Sequence, residues 1–324
     1  MHSGLAAIAL AALQGAPSPP AALPVEAPGP SGALRGTMLR PAAIAAQVLI
    51  IPGSGPTDRD GNSPSGIVAA PYRLLAEALA ARGIASVRID KRGMFGSAGA
   101  VPDANAVTIA DYAGDVHSWV RAIRSRTGAR CVWLLGHSEG GLVALVAAQR
   151  PEGICGLVLA AAPGRRFGTV LREQLRANPA NAPLLAEAMA AIDSLEAGKR
   201  VDPAGLNPAL LPLFAPQVQG FVRSLLSYDP ARLAGRVGKP VLIVQGEQDL
   251  QIAKVDAIRL AAANRNAKLA LLPGVNHVLK VVVSDDRAAN AATYSDPSLP
   301  IAPAVAGAIA DFILSAHNAR GTKP

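Results

Sequence analysis

Short apolar runs alternate with amphipathic stretches along most of the chain. The runs have almost no polar face, which is typical of strands buried on both faces of a mostly parallel sheet. The stretches between them have the spacing of helices that cover such a sheet. The pattern therefore predicts an α/β fold, with a mostly parallel central sheet flanked by helices. The predicted strands are residues 34–39, 47–51, 84–89, 132–135, 156–161, 240–245 and 268–272, and the predicted helices are residues 72–82, 109–126, 142–148, 253–263 and 302–315.

One long stretch departs from this alternation. Residues 165–233 contain helical patterns interrupted by prolines, and they contain no strand-like run. We interpret this stretch as a helical cap inserted between two strands of the sheet, with apolar residues that would line a substrate entrance. The predicted core is then divided into residues 24–164 and residues 234–324. A chain of 324 residues, half of them hydrophobic, is long enough to bury such a core.

The first 23 residues form a separate leader. Leu5 to Leu13 is a short apolar run followed by a proline-rich stretch, too short to cross a bilayer as a helix. It resembles the core of a signal peptide, but no lysine or arginine precedes it. Two interpretations stay open. If the leader is a signal peptide, the protein is periplasmic or secreted; if it is a disordered leader, the protein is cytoplasmic.

The charge of the chain does not favour nucleic acid as a partner. The formal net charge is +8, but the basic residues are scattered and aromatic residues make up only 3% of the chain. Nucleic-acid binding requires a clustered basic face or aromatic side chains that stack on bases. The densest basic group, at positions 121, 124, 126 and 130, has neither feature.

The two cysteines, Cys131 and Cys155, both lie at the starts of predicted strands. We interpret them as separate buried thiols rather than as a disulfide bond, and their spacing matches no metal-binding motif. We expect neither a metal nor an organic cofactor.

A strand, a sharp turn and a helix are predicted between residues 131 and 148. The turn reads Gly-His-Ser-Glu-Gly at positions 136–140 and fits the nucleophile-elbow pattern G-x-S-x-G. Such a turn projects the serine hydroxyl from the carboxyl edge of a sheet, which makes Ser138 a candidate nucleophile. Because glycine is frequent in this chain, a chance match is the alternative.

A serine nucleophile needs a base, and the base needs a group that orients it. His277 lies in a loop after the last predicted strand, so it falls on the same edge of the sheet as Ser138. Two carboxylates, Glu247 and Asp249, follow the strand before it. We prefer Asp249 because it lies further past the end of the strand. The order serine, acid, histidine is the one that α/β-hydrolases use.

Acyl transfer also needs two N–H groups that bind the developing oxyanion. The backbone of Glu139, directly after the serine, is one candidate. The glycine-rich turn Gly53-Ser54-Gly55, at the end of an apolar strand, would supply the other, and we favour Ser54. A charged turn at 90–93 follows the next strand, at the rim where α/β sheets bind ligands. We favour a structural role over a ligand-binding one, with Asp90 and Arg92 holding loops in place beside the elbow.

These motifs together resemble the serine α/β-hydrolases, in the esterase and serine-aminopeptidase-like branch with a helical cap. The resemblance covers about Val25 to Leu314 and rests on GHSEGG, IIPGSGPTDRDGN, RIDKRG, QGEQD and GVNHVLK, in that order. It implies a catalytic triad of Ser138, Asp249 and His277, and an oxyanion hole formed by Ser54 and Glu139. Relatives often carry glycine where this chain has Phe95, so Phe95, with Gly53 and Gly55, is a candidate for the rim of the pocket.

The expected activity is hydrolysis of carboxylic esters with small to medium acyl groups, through an acyl-enzyme on Ser138. An aminopeptidase, an amidase or a thioesterase would use the same groups, so these alternatives stay open. A hydrolase fold retained as a non-catalytic binding protein is an alternative of another class. The expected partner is a small-molecule ester; we expect no stable membrane span, and the oligomeric state stays open.

Overall fold

In the computed structural model, which describes residues 20–284 and 286–321, a sheet of eight strands runs through the centre of the protein. The strand order is β1-β2-β4-β3-β5-β6-β7-β8. β1 pairs with β2 and β2 with β4 in antiparallel orientation, whereas the remaining neighbours are parallel. The strands are β1 (Ala21–Pro28), β2 (Ala33–Arg40), β3 (Ala46–Ile51), β4 (Ile84–Ile89), β5 (Val132–His137), β6 (Ile154–Ala160), β7 (Val241–Gly246) and β8 (Lys268–Leu272).

Helices cover both faces of this sheet. They are α1 (Pro71–Ala80), α2 (Ile109–Thr127), α3 (Glu139–Ala147), α4 (Phe167–Ala177), α5 (Leu185–Glu196), α6 (Leu211–Phe214), α7 (Gln219–Leu226), α8 (Pro230–Ala234), α9 (Lys254–Ala263), α10 (Arg287–Ala292) and α11 (Pro303–Gly321). One apolar core joins the sheet to α2, α3, α8 and α9, and a second joins its other face to α1 and α11. β3 to β7 are buried at every position, as their apolar sequences require. The predicted α/β fold is confirmed.

The order of the strands reverses between β3 and β5. From β3, the chain passes to β4 on one side and later returns to β5 on the other. In parallel α/β sheets, a crevice opens at the carboxyl ends of the strands where the order reverses, and ligands bind there. The glycine-rich loop after β3 and the predicted elbow after β5 both lie at this point of the sheet.

The helical stretch between β6 and β7 agrees with the predicted pattern. Residues 165–233, all of them described, hold α4 to α7 and most of α8, and no strand. Their apolar side chains form a third, smaller core around Ile192 and Phe214. This segment therefore packs partly on itself; its use as a cap stays a prediction.

The first strand was missed from the sequence. β1 begins at Ala21, so the predicted leader, residues 1–23, wrongly includes the first three residues of this strand. Residues 1–19 lie outside the described part of the chain. Pro24 and Pro28 concealed the strand, because proline cannot donate to a sheet ladder. β1 lies at one edge of the sheet, where proline is tolerated because one side of the strand has no ladder to donate to. Its Val25 and Ala27 are buried against the core.

The prediction of two separate thiols was wrong, because Cys131 and Cys155 form a disulfide bond. Cys131 directly precedes β5 and Cys155 is the second residue of β6, and these strands are parallel neighbours in which Val132 pairs with Ile154. The pairing brings two positions that are 24 residues apart to a Cα separation of 5.1 Å, within the range that a disulfide spans. Both residues are predicted at strand starts, but the sequence alone does not show that these two strands are neighbours.

The disulfide should contribute to stability. We expect the double variant Cys131→Ala/Cys155→Ala to lower the free energy of unfolding by about 2–4 kcal/mol, because the bond restricts the unfolded chain. Urea unfolding followed by tryptophan fluorescence measures this difference. Wild-type protein unfolded under a reducing agent should match the variant, and an unchanged free energy of unfolding would contradict the prediction.

Candidate active site

Ser138 lies at the turn between β5 and α3, in a strained backbone conformation with φ 54° and ψ −124°. Its own N–H donates to the carbonyl of Ala160 on β6, at 2.9 Å. The backbone segments around Ser138 approach so closely that only glycine fits. A Cβ on Gly136 would overlap the backbone of Gly140, and a Cβ on Gly140 would overlap the backbone of Ile51 on β3. Strand, strained serine and helix therefore form the arrangement that the sequence pattern predicts.

His277 and Asp249 contact each other at the same edge of the sheet. His277 Nδ1 lies 2.8 Å from Asp249 Oδ2, and both side chains are almost fully buried. The other carboxylate oxygen of Asp249 accepts the backbone N–H groups of Gln251 and Ile252, at 2.8 and 2.9 Å. Burial alone would raise the pKa of Asp249, but His277 and these donors lower it below its usual range. Asp249 is therefore a carboxylate that holds the Nδ1–H of His277.

Glu247, the other candidate acid, does not take this place. Its side chain is about one-third exposed and pairs with Lys254 on α9, at 2.9 Å. Of the two carboxylates that follow β7, Asp249 is the one in contact with His277.

The loops that carry Asp249 and His277 are tied together by buried polar groups. The N–H of Gln248 donates to the carbonyl of Val275, at 2.9 Å, and Asn290 Nδ2 donates to the carbonyl of Gln248, at 2.7 Å. Asn276, fully buried beside His277, donates to Thr293 Oγ1 at 2.7 Å. The relative position of the acid and the histidine is therefore fixed by their surroundings.

His137, directly before Ser138, links three parts of the site. Its Nε2 lies 2.8 Å from the carbonyl of His277, and its Nδ1 lies 2.9 Å from the hydroxyl of Tyr72 on α1. Since a carbonyl only accepts, Nε2–H donates to His277 and Nδ1 accepts from Tyr72. The Tyr72 oxygen in turn accepts the N–H of Gly53, at 3.0 Å. Burial, reinforced by the nearby His277, lowers the pKa of His137 to about 3, so this ring is neutral.

The glycine-rich loop after β3 lies directly beside the elbow. A Cβ built on Gly53 would lie 3.3 Å from the Cβ of Ser138. Gly55 has φ 67°, in the left-handed region, and Ser54 is exposed to solvent. Within the described part of the chain, the N–H groups of Ser54 and Glu139 have no hydrogen-bond acceptor. The role of these two N–H groups as oxyanion donors stays a prediction.

The charged turn after β4 has the structural role expected of it. Asp90 is buried and accepts the N–H groups of Arg59 and Gly96, at 2.9 and 3.0 Å, as well as the Arg59 guanidinium. Arg92 forms a bidentate contact with Asp115 on α2, with both distances 2.6 Å. These contacts hold the loops after β3 and β4 in place beside the elbow.

Phe95 is less closely connected to the site than the other predicted residues. Its φ of 45° lies in the left-handed region, which glycine adopts without strain. Its side chain is 42% exposed, and among the described contacts no hydrogen bond or ring contact joins it to Ser138 or His277. Its place on the rim of the pocket stays a prediction.

Several polar residues that orient the site are not predicted from the sequence. Tyr72 and Asn290 contact it from elements that are separate along the chain, so their spacing gives no signal. Asn276 directly precedes His277, but no pattern marks its side chain as part of the site. Gln245 could have been found, because it is the one polar side chain in the apolar run 240–245; it donates to Asp249 at 3.2 Å.

The described ranges hold neither a candidate metal site nor a membrane-spanning helix. Residues 20–284 and 286–321 contain no group of three histidine, cysteine, aspartate or glutamate side chains that could hold a metal ion. None of the helices described is both long enough and apolar enough to cross a membrane.

Comparisons with known proteins agree with this fold. Residues 68–192 match a family model described as Hydrolase_4, serine aminopeptidase, S33. Esterase EstD from Thermotoga maritima is 26% identical over 237 residues, which are 72% of this chain and 54% of the relative. The chain thus spans about half the length of that relative.

Two solved structures share the fold at low sequence identity. Est1E from Butyrivibrio proteoclasticus is 17% identical, with a TM-score of 0.56 and coverage of 90% of this chain and 98% of that one. Proline iminopeptidase from Mycobacterium smegmatis is also 17% identical, with a TM-score of 0.60 and coverage of 92% and 100%. The chain has the α/β-hydrolase fold. The matches confirm its resemblance to the esterase and serine-aminopeptidase-like branch of these proteins.

The buried neutral His137 should make stability depend on pH. Its folded-state pKa, about 3, lies below the ordinary value of 6.5, so the unfolded chain binds a proton first as the pH falls. The contribution of His137 is therefore complete above about pH 6.5 and decreases from there towards pH 3. Between pH 7 and 5 we expect wild type to lose about 2 kcal/mol of unfolding free energy more than His137→Gln.

Urea unfolding of both proteins at the two pH values measures this difference. His117→Gln is the matched control, because the His117 ring is only partly buried and this variant should keep most of the pH dependence. Equal pH dependence in wild type and His137→Gln would contradict the prediction.

Proposed function

We propose that the protein is a serine hydrolase that cleaves carboxylic esters through a covalent acyl-enzyme on Ser138. The observation that carries this proposal is the pair of His277 and Asp249, 2.8 Å apart at the sheet edge where the strained Ser138 follows β5. Serine, base and orienting carboxylate come from the ends of three different strands, as a triad on this fold requires.

The first step forms the acyl-enzyme. Ser138 Oγ attacks the ester carbonyl carbon while Nε2 of His277 accepts the hydroxyl proton. Nε2 is free to accept it because Nδ1–H donates to Asp249. The negative carboxylate stabilises the imidazolium that forms, and the imidazolium then protonates the departing alkoxide.

The oxyanion of the tetrahedral intermediate would be bound by the N–H groups of Ser54 and Glu139. Their position beside Ser138, with no other acceptor among the described residues, supports this role. In comparable enzymes one such donor contributes about 2.7–4 kcal/mol of transition-state stabilisation.

Hydrolysis of the acyl-enzyme completes the cycle. Neutral His277 takes a proton from water as the water attacks the acyl carbon, and then returns it to Ser138 as the acid leaves. The hydrogen bonds of His137 would hold the His277 loop in position beside the elbow during both acylation and deacylation.

The substrate proposed is a small-molecule ester with a small to medium acyl group. The helical insertion at 165–233, with a core of its own, would act as the cap above the sheet edge. Gly53, Gly55 and Phe95 are proposed for the rim of the pocket. Esterase activity is named for EstD, and the resemblance to it supports an ester in preference to other acyl compounds.

An aminopeptidase is the second candidate, because the matching family model and one structural neighbour carry peptidase names. Such an enzyme must also bind the ammonium group of its substrate, for which a carboxylate is the natural partner. In the helical insertion Glu173 pairs with Arg165, and Asp193 and Glu196 pair with Arg172. Within the described structure, Glu187 and Asp202 of the same insertion accept only backbone N–H groups, so the ester is favoured by the resemblance to EstD. Thioester cleavage would use the same triad, and a binding protein would need none of it.

Replacement of Ser138 tests the proposal. We expect wild type to hydrolyse p-nitrophenyl esters with a maximum at one acyl-chain length, and Ser138→Ala to lower kcat/KM by about 10⁴-fold or more. Ser125→Ala, an exposed position on α2, is the matched control and should keep full activity. If wild type is inactive on every ester but cleaves aminoacyl p-nitroanilides, the aminopeptidase replaces the esterase. Inactivity on esters, anilides and thioesters alike would favour the binding protein.

The two carboxylates after β7 should differ sharply in their effect on kcat. We expect Asp249→Asn to lower kcat by about 10³- to 10⁴-fold, because a neutral amide cannot stabilise the imidazolium and its NH2 group can donate to Nδ1 of His277, which favours the wrong tautomer. Glu247→Gln should change kcat by less than about threefold, since Glu247 contacts Lys254 instead. Steady-state kinetics on one ester compares the two, and a larger loss in Glu247→Gln would overturn the assignment of the acid.

A further inference from the structure

Lys91, in the turn after β4, has a buried ammonium group next to the elbow. Its side chain is only 3% exposed, although a lysine is almost never buried unless its charge is paired. Three groups surround the ammonium: the carbonyl of Gly53 at 2.7 Å, Glu139 Oε1 at 3.4 Å, and the ring of Tyr112 with its centre at 5.2 Å. The shortest of these contacts is to the loop after β3.

The ion pair with Glu139 is a poor source of stability. Its 3.4 Å separation is long for a charged hydrogen bond, and the second carboxylate oxygen, Glu139 Oε2, is buried without any partner in the described structure. Two charges have been removed from water for an incomplete set of contacts, which generally contributes little to folding. Stability alone does not account for Lys91.

The carbonyl that Lys91 binds belongs to the peptide bond between Gly53 and Ser54. In a trans peptide the N–H points away from the C=O, so a fixed carbonyl direction also fixes the direction of the Ser54 N–H. A cation on the carbonyl oxygen further withdraws electron density from the amide and makes its N–H a stronger donor. Tyr72 holds the preceding N–H, that of Gly53, so both peptide groups flanking Gly53 are held in place.

The other proposed oxyanion donor is connected to the same ammonium. Glu139 supplies its backbone N–H at the start of α3, while its side chain pairs with Lys91. A single buried cation thus contacts the residues that carry both donors.

We propose that Lys91 is a positioning residue for the oxyanion hole, which orients and polarises the Gly53–Ser54 peptide while Glu139 balances its charge. This inference rests on the proposed serine hydrolase function, because it assigns Lys91 a role in stabilising the oxyanion of that reaction. Lys91 itself does not contact the substrate.

The test compares kcat, KM and the affinity for an oxyanion mimic in Lys91→Met. A trifluoromethyl ketone adds to the serine and places a negative oxygen in the oxyanion hole, whereas the matching methyl ketone binds largely as a neutral carbonyl. We expect Lys91→Met to lower kcat by about 10- to 100-fold, with KM changed less than about threefold. The ratio of the two inhibition constants should fall by a similar factor.

Two further variants separate this role from a purely structural one. Lys280→Met is the matched control, because Lys280 is also fully buried and donates to a backbone carbonyl, but to that of Asp296 rather than to the Gly53–Ser54 peptide. It should change the ratio of inhibition constants less than about twofold. The double variant Lys91→Met/Glu139→Gln leaves no unpaired buried carboxylate, so it should fold even if the single variant does not, and it should show the same loss of kcat.

The outcomes decide between the explanations. A folded Lys91→Met or double variant with wild-type kcat and inhibition ratio overturns the inference while ester hydrolysis by wild type stands. An equal fall of the ratio in Lys280→Met also overturns it, because any buried lysine would then have the same effect. A wild type that neither hydrolyses esters, anilides and thioesters nor binds the trifluoromethyl ketone refutes the proposed function, and the inference with it.

Discussion

The site depends on the parallel pairing of β3 with β5. Ile51 lies opposite Gly136 in this pairing, so the chain leaves both strands at the same level and at the point where the strand order reverses. The approach is close enough that a side chain on Gly140 would overlap the backbone of Ile51. This contact sets the glycine-rich loop directly beside Ser138, and the proposed oxyanion hole exists only because the two strands meet in this register.

Two buried networks of polar contacts connect the loop after β3 to the rest of the site. On one side, Tyr72 and His137 join the N–H of Gly53 to the carbonyl of His277. On the other, Lys91 holds the carbonyl of Gly53 and pairs with Glu139. The elbow, the glycine-rich loop and the histidine loop therefore form one preorganised unit, which is what stabilisation of a developing charge requires.

The sequence predicted those features that a local pattern defines. Ser138 stands in a short motif between a strand and a helix, and His277 and Asp249 follow strand ends, so the parallel sheet alone brings them to one edge. Tyr72 and Lys91 act through neighbours that the fold brings close, and no spacing reveals them. The disulfide was missed for the same reason, since only the adjacency of β5 and β6 joins Cys131 to Cys155.

Covalent labelling shows whether Ser138 is the nucleophile. A fluorophosphonate reacts with an activated serine and leaves a stable phosphonyl group, which mass spectrometry of proteolytic peptides locates. We expect one phosphonyl group per chain, on Ser138, with labelling strongly slowed in His277→Ala. An unlabelled Ser138, or a label on another residue at the same rate in wild type and His277→Ala, would contradict it.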